Sequence, residues 1–287
     1  MAKSPIKMRM SDPAWSGLQA NRGSLHAGYD TFVSGAGGQL GRPGAHGGWG
    51  VVGKPGGRPR RTYRMQLKQR RRLVFLGGFA VYFTILWLLW PTVWIYPFKI
   101  FVVFLHELSH ALAGLATGGT VQRITLDPRQ GGTTLVNGGN PFVMLSAGYL
   151  GSLIWGLALL LIARTRPRIA RTTLIVLGAL LLGAAALFVR NGFGFFFSLL
   201  FGLALIVAAR KLPNGGLLAL LTGLGLTSAL YALFDIRDDI LAQPYLQSDA
   251  YMLGQLTGVP TLAWGFLWAG IALLACLLVG HRLYQKA

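Results

Sequence analysis

The sequence predicts an all-α polytopic membrane protein: six or seven transmembrane helices, a small β-hairpin-like insertion after the second span, and a disordered N-terminal tail. Three observations carry this. Apolar runs of membrane-spanning length recur from residue 73 to the end of the chain. Only 12% of residues are charged while 53% are hydrophobic, well away from the balance of a soluble domain. The formal charge of +19 is unevenly placed: residues 1–72 hold 14 Lys/Arg and 2 Asp/Glu, a net +12 ahead of the first span. There it acts as attraction to anionic lipid or as a cytoplasmic orientation signal. No nucleic-acid partner is expected, because no binding motif accompanies the charge. The single Cys276 lies in an apolar run, so no intrachain disulfide and no thiolate metal cluster is expected.

Residues 1–64 are rich in Gly, Pro, Ser and Arg, lack apolar periodicity and cannot bury a core, which predicts disorder. Met65 opens Met-Gln-Leu-Lys-Gln-Arg-Arg-Arg, an ordinary start for a membrane protein, so the upstream stretch reads equally as a functional tail or an over-extended gene start. Arg70, Arg71 and Arg72 abut the first span, Leu73–Trp90, and argue for a cytoplasmic N-terminus. Pro91, Trp94, Tyr96 and Pro97 form an interfacial connection to the second span, about Phe98–Thr117. Next, Val121–Leu126 alternates like a strand, with Thr133–Val136 as its partner and Asp127–Gly132 turning between them. Such a pair could hold an extended peptide along its edge, although the spacing equally allows a plain connecting loop.

The third span, about Pro141–Ala163, carries small residues at four-residue spacing, Ala147 with Gly151 and Gly148 with Ser152, a signal for close helix packing. Spans follow at about Thr172–Val189, Phe193–Ala209 and Gly215–Phe234, the last of these ending in Asp235, Asp238 and Asp239. A loop adds Asp249, and the final span is about Leu262–Gly280. His26 and His46 lie in the tail and His281 at a span end, all poor places for a ligand.

Chemistry concentrates in the second span, at His106, Glu107 and His110. Two His four apart share one helix face and can converge on one metal ion. Glu107, about 100° round the helix, can lean toward a water held by that metal. This H-E-x-x-H spacing is that of zinc hydrolases, with the carboxylate as proton acceptor. Inside an apolar span, these groups are costly unless paired, metal-bound or facing a wet cavity.

Four features in order resemble the site-2 protease-like intramembrane zinc metallopeptidases, in their compact bacterial branch. They are Phe-Leu-His-Glu-Leu-Ser-His-Ala (104–111); Gly118-Gly119 with Gly131-Gly132-Thr133; Ala-Gly-Tyr-Leu-Gly-Ser (147–152); and Ser-Asp-Ala (248–250) ahead of Trp264-Gly265 and Trp268. Together they cover most of residues 70–285. The resemblance implies a metallopeptidase-like domain over 73–287 behind a basic tail of 1–72, one Zn2+ per chain, a bacterial cell membrane location, and cleavage of peptide bonds of membrane-associated proteins or peptides. It implies His106 and His110 as ligands and Glu107 as the base that activates a zinc-bound water.

A catalytic zinc usually has three protein ligands. The family's third is an Asp within Leu-Asp-Gly, and this sequence has no Leu-Asp-Gly. Asp235, at the end of the sixth span, is the first choice for that position and Asp249 the rival. The departure leaves an alternative function, a non-proteolytic membrane scaffold or regulator of the same fold. A metal transporter is a third class, for which ligands repeated across several spans are expected. Simple alternation from a cytoplasmic start places Asp235 on the cytoplasmic side but puts the arginines at 164–171 and Arg210-Lys211 outside, against the charge rule. A re-entrant segment among the first three would repair the charges and spoil that placement of Asp235.

Overall fold

A computed structural model describes residues 60–90, 92–236 and 247–286. In chain order these form α1 (Arg60–Leu89), α2 (Tyr96–Ala116), β1 (Thr120–Asp127), β2 (Gly131–Asn137), α3 (Pro141–Ile162), α4 (Pro167–Leu187), α5 (Gly192–Lys211), α6 (Asn214–Ile236), α7 (Asp249–Thr257) and α8 (Thr261–Lys286). All but α7 are long and apolar enough to cross a membrane, which gives seven such helices among the described residues. The chain from Lys68 onward forms one compact unit; of a second, Ser11–Leu67, only the first turns of α1 are described.

The helix that carries the first span extends upstream of Leu73, starting at Arg60. Arg, Gln, Leu and Lys dominate residues 60–72, and as good helix formers they let the span's helix run on. Residues 1–59 of the expected tail lie outside the described residues, as do Asp238 and Asp239. One sequence expectation needs correction: α7 is a helix where the sequence suggested a loop. Ser248 caps it by accepting from the Tyr251 N–H at 3.2 Å, and Gly258 closes it in the left-handed conformation (φ 75°).

Elsewhere the chain starts its helices as its residues dictate. Proline occupies the first or second position of α2, α3 and α4, where the missing N–H costs nothing. Asn140 caps α3 through its side chain, which accepts from the Val143 N–H at 3.2 Å.

The insertion after α2 is a hairpin rather than a plain loop. β1 and β2 pair antiparallel from Thr120↔Asn137 to Asp127↔Gly131, with an irregularity between Val121 and Arg123. Its tight end carries Gln130 at φ 66°. β1 is flanked on its other edge by the connection between α4 and α5. The Ile124 N–H donates to Phe188 O (2.8 Å), and the Arg190 N–H donates to Ile124 O (3.1 Å). The Asn191 side chain completes the seam by accepting from the Leu126 N–H (3.1 Å) and donating to Leu126 O (2.7 Å). Among the described residues the sheet therefore ends at β2.

α2 is the central helix. Its most apolar window is 78% buried inside the protein, against 17% for α8, whose side chains largely face outward. Around α2 the helices approach closely where glycine allows it. A Cβ on Gly156 of α3 would lie 2.5 Å from the Ala229 backbone nitrogen of α6, and one on Gly225 would lie 2.8 Å from the Leu160 nitrogen. Ser228 reinforces the contact by donating to Ser152 O at 2.9 Å.

This contact makes a prediction. Gly156→Ala should destabilise the detergent-solubilised protein by about 1–3 kcal/mol, because backbone rather than a flexible side chain must move. Gly183→Ala in α4, where the new Cβ would meet nothing within 4 Å, should be neutral or stabilise by up to about 1 kcal/mol. Thermal melting of both variants checks the contrast, and equal shifts would refute it.

Candidate metal centre

Helix α2 places His106 and His110 on one face, as their spacing requires, with the ring centroids 4.7 Å apart. The third member is Asp249, in the first turn of α7. One ligand atom from each of these three residues lies within 4.8 Å of the others. Nε2 of His106 is 3.0 Å from Asp249 Oδ2, and Nε2 of His110 is 3.2 Å from the same oxygen. His110 and Asp249 are only 2% and 5% exposed, so this is no solvated helix end.

Asp235, the first choice on sequence, is not brought into this group, although it lies at the described end of α6. The residue that meets the histidines is the rival, Asp249. The capped helix explains why. Ala250 and Leu253 of α7 are buried in one cluster with Leu145 and Tyr149 of α3, Ile236 of α6 and Trp268 of α8, and this seats the start of α7 over α3. Helix α3 yields at that point through Gly148, where a Cβ would overlap both His106 Nε2 and Asp249 Oδ2. The small-residue pattern of α3 is thus more than a packing signal. Its Gly148 makes the room in which a carboxylate reaches two imidazoles.

The donor set fits zinc. His110 Nδ1 donates to Met144 O at 2.7 Å, which fixes the tautomer and turns the Nε2 lone pair inward. That buried Nε2 has no hydrogen-bond partner of its own. A buried imidazole nitrogen held in this way beside a carboxylate oxygen is what a metal ligand requires. Separations of 3.0 and 3.2 Å between donor atoms are also close to the edge, about 3.3 Å, of a tetrahedron with bonds of about 2.0–2.1 Å.

Glu107 is equally buried, at 3% exposed, and it faces the hairpin. Thr134 of β2 donates its hydroxyl toward Glu107 Oε2 (2.7 Å) and lies 3.0 Å from the Glu107 carbonyl. Gly132, two residues before it, has no Cβ, and one there would overlap the Glu107 carboxylate. Tyr149 packs edge-on to His106 with centroids 5.0 Å apart, and Trp268 backs Tyr149 at 5.2 Å. Sequence reasoning missed the roles of Thr134, Gly132 and Gly148. The signals present were the ordered motif set, which contains Gly132 and Gly148, the spacing of Gly148 with Ser152, and the strand pattern that includes Thr134.

Glycine likewise keeps α2 and α3 together away from the ligands, for a Cβ on Gly151 would overlap the Ser109 hydroxyl. His281, at the far end of α8, is 2.7 Å from Gln285 Nε2 and takes no part in the group.

Neither the curated proteins nor the solved structures contain a match to this chain. The Peptidase M50B-like family model matches residues 79–280, which include the histidine pair, Glu107, the hairpin and Asp249. The match covers well over half of the chain and agrees with the resemblance carried by the four motifs. An integral membrane bundle with this buried histidine–carboxylate group, the chain belongs to the Peptidase M50B-like family, in the site-2 protease class.

Proposed function

We propose that this protein is a zinc-dependent intramembrane endopeptidase that hydrolyses peptide bonds of membrane-associated proteins. The observation that carries the reading is the convergence of His106, His110 and Asp249 in the bundle interior, with the Glu107 carboxylate on the same turn of α2. These three side chains would hold the zinc. A bound zinc supplies a Lewis acid that polarises a carbonyl and makes a water more acidic.

Glu107 takes the proton from the attacking water as the new C–O bond forms, then delivers it to the amine as the C–N bond breaks. Thr134 holds Oε2 of that carboxylate from the hairpin side, so the acceptor keeps one orientation. A transmembrane substrate must unwind locally to present its carbonyl. The outer edge of β2 supports this, since an extended segment can pair there as an added strand.

The scaffold alternative drew its support from the absent Leu-Asp-Gly. Asp249 weakens it by supplying a carboxylate to both histidines from a different element. Transport fits less well, because the His and Asp ligands gather at one point among the described residues instead of recurring across spans.

Zinc content of the purified protein tests the ligand set. About one zinc per chain is expected in the wild type and in Asp235→Ala, with loss in His106→Ala and Asp249→Ala. Retention in Asp249→Ala would remove that residue from the site. A wild type without zinc after zinc-replete, chelator-free preparation would sink the hydrolase reading.

Glu107→Gln should keep the metal while turnover of a reconstituted membrane substrate falls about 100- to 10,000-fold. Undiminished cleavage would exclude Glu107 as the base.

Thr134→Val should lower turnover by about 10- to 100-fold, the loss of one hydrogen bond to a charged group, with zinc retained and activity restored in Thr134→Ser. If Ser and Val behave alike, Thr134 acts through packing and not through its hydroxyl.

A further inference from the structure

We infer that Asn191, between α4 and α5, is a positioning residue for the Glu107 carboxylate and acts on it through the hairpin. Resting on the peptidase reading, in which Glu107 is the base, this gives the α4–α5 pair a part in the reaction.

Asn191 stands at the N-cap of α5, where an Asn side chain ordinarily accepts from an N–H of its own first turn. Here it makes no such bond. Its carboxamide is turned to β1 instead, accepting from the Leu126 N–H (3.1 Å) and donating to Leu126 O (2.7 Å), as the peptide group of a neighbouring strand would. Helix α5 leaves room for that amide. A Cβ on Gly194 would lie 2.6 Å from Asn191 Oδ1 and 3.3 Å from Leu126 Cβ. Inside an apolar bundle, both Leu126 groups need a protein partner, and Asn191 serves the two together.

The residues held in this way are the ones that matter to Glu107. The α4–α5 connection bonds β1 at Ile124, through the Phe188 carbonyl and the Arg190 N–H, and at Leu126, through Asn191. In the sheet register Ile124 lies opposite Thr134, and Leu126 lies opposite Gly132. Those are the two β2 residues against the base: Thr134 donates to Oε2, and a Cβ on Gly132 would overlap the carboxylate. Residues directly opposite in an antiparallel pair share a face, so all four belong to the face that meets α2. Ile124 is buried in one cluster with Ala111, the residue after His110. Between them, the Thr125 and Thr133 hydroxyls tie the strands at 2.8 Å.

A two-stranded hairpin is marginal by itself, and its strands hold a fixed place only when something else holds them. The connection is that holder on the β1 side. A clamp on Leu126 fixes Gly132 and Thr134 across the ladder, and with them the direction in which the Glu107 carboxylate points.

The test uses the full-length protein and reads chemistry and local order separately. Asn191→Ala should keep its zinc and its KM for a reconstituted membrane substrate while kcat falls about 10-fold. In a Thr134→Val background, Asn191→Ala should add little further loss, because the bond it serves is already gone. Losses that multiply overturn the inference, as does an unchanged kcat or a change confined to KM. Gly194→Ala, which presses on Asn191 Oδ1, should reproduce the coupled loss and decides should Asn191→Ala fail to fold.

Hydrogen exchange decides without catalysis, in Glu107→Gln protein with and without Asn191→Ala. Faster exchange in β1 and β2 is expected, with α3 and α6 unchanged; unaltered exchange in β2 overturns the inference. A wild type that cleaves no substrate counts against the peptidase reading, while exchange still reports whether Asn191 holds β2.

Discussion

Two imidazoles and a carboxylate drawn into an apolar bundle must satisfy one another, and much of this fold follows from that constraint. Buried charge left alone is far too costly to persist, so Asp249, His106 and His110 can share the interior only by meeting closely. Their meeting demands that α3 come within contact of α2 with no side chain between, which is the place of Gly148. It demands that α7 begin at one fixed point, which the Ser248 cap and the buried Ala250 and Leu253 provide. It also demands that His110 keep one tautomer, which the Met144 carbonyl enforces. None of these devices is chemical in itself, yet each holds one donor atom in place.

The spans, the hairpin and the two histidines were legible because each rests on a local rule. Apolar length marks a span, alternation of period two marks a strand, and four-residue spacing marks a shared helix face. The third carboxylate was not legible in the same way. Asp235 ends one apolar span and Asp249 lies in the segment ahead of the next, and choosing between them needs the tertiary placement of α7. A local signal did exist: Ser248 ahead of Asp249 is a helix cap, and Gly258 with Pro260 is a stop. Taken together they would have turned the loop into a helix with its first carboxylate in a defined position. Thr134 was harder still, since its bond to Glu107 joins residues 27 apart through a sheet register that no spacing rule supplies.

The unequal burial of the helices fits this division of labour. α2 is surrounded, so its residues from Ile100 to Leu105 can be apolar on every face and still pack against protein. α8 leaves Phe266, Leu273, Leu274 and Leu277 exposed, as lipid contact requires. A polar residue on α8 could be solvated only at its ends, whereas α2 can carry three polar groups mid-helix because its neighbours answer them. The placement of the motif on the most enclosed helix is therefore a physical requirement as much as a functional one.

On the proposed function, recognition and chemistry would share one strand. Among the described residues, β1 is sealed on one edge by β2 and on the other by residues 188–191, which leaves β2 as the strand that can accept another. The same β2 carries Gly132 and Thr134 against the Glu107 carboxylate. A peptide paired to its outer edge would lie about 4.8 Å from the strand that holds the base, the ordinary spacing of neighbouring strands. Any shift of β2 on pairing would thus be felt at Oε2 of Glu107 through the Thr134 hydroxyl. Binding an unwound segment and orienting the proton acceptor are, on this geometry, two effects of one strand's position.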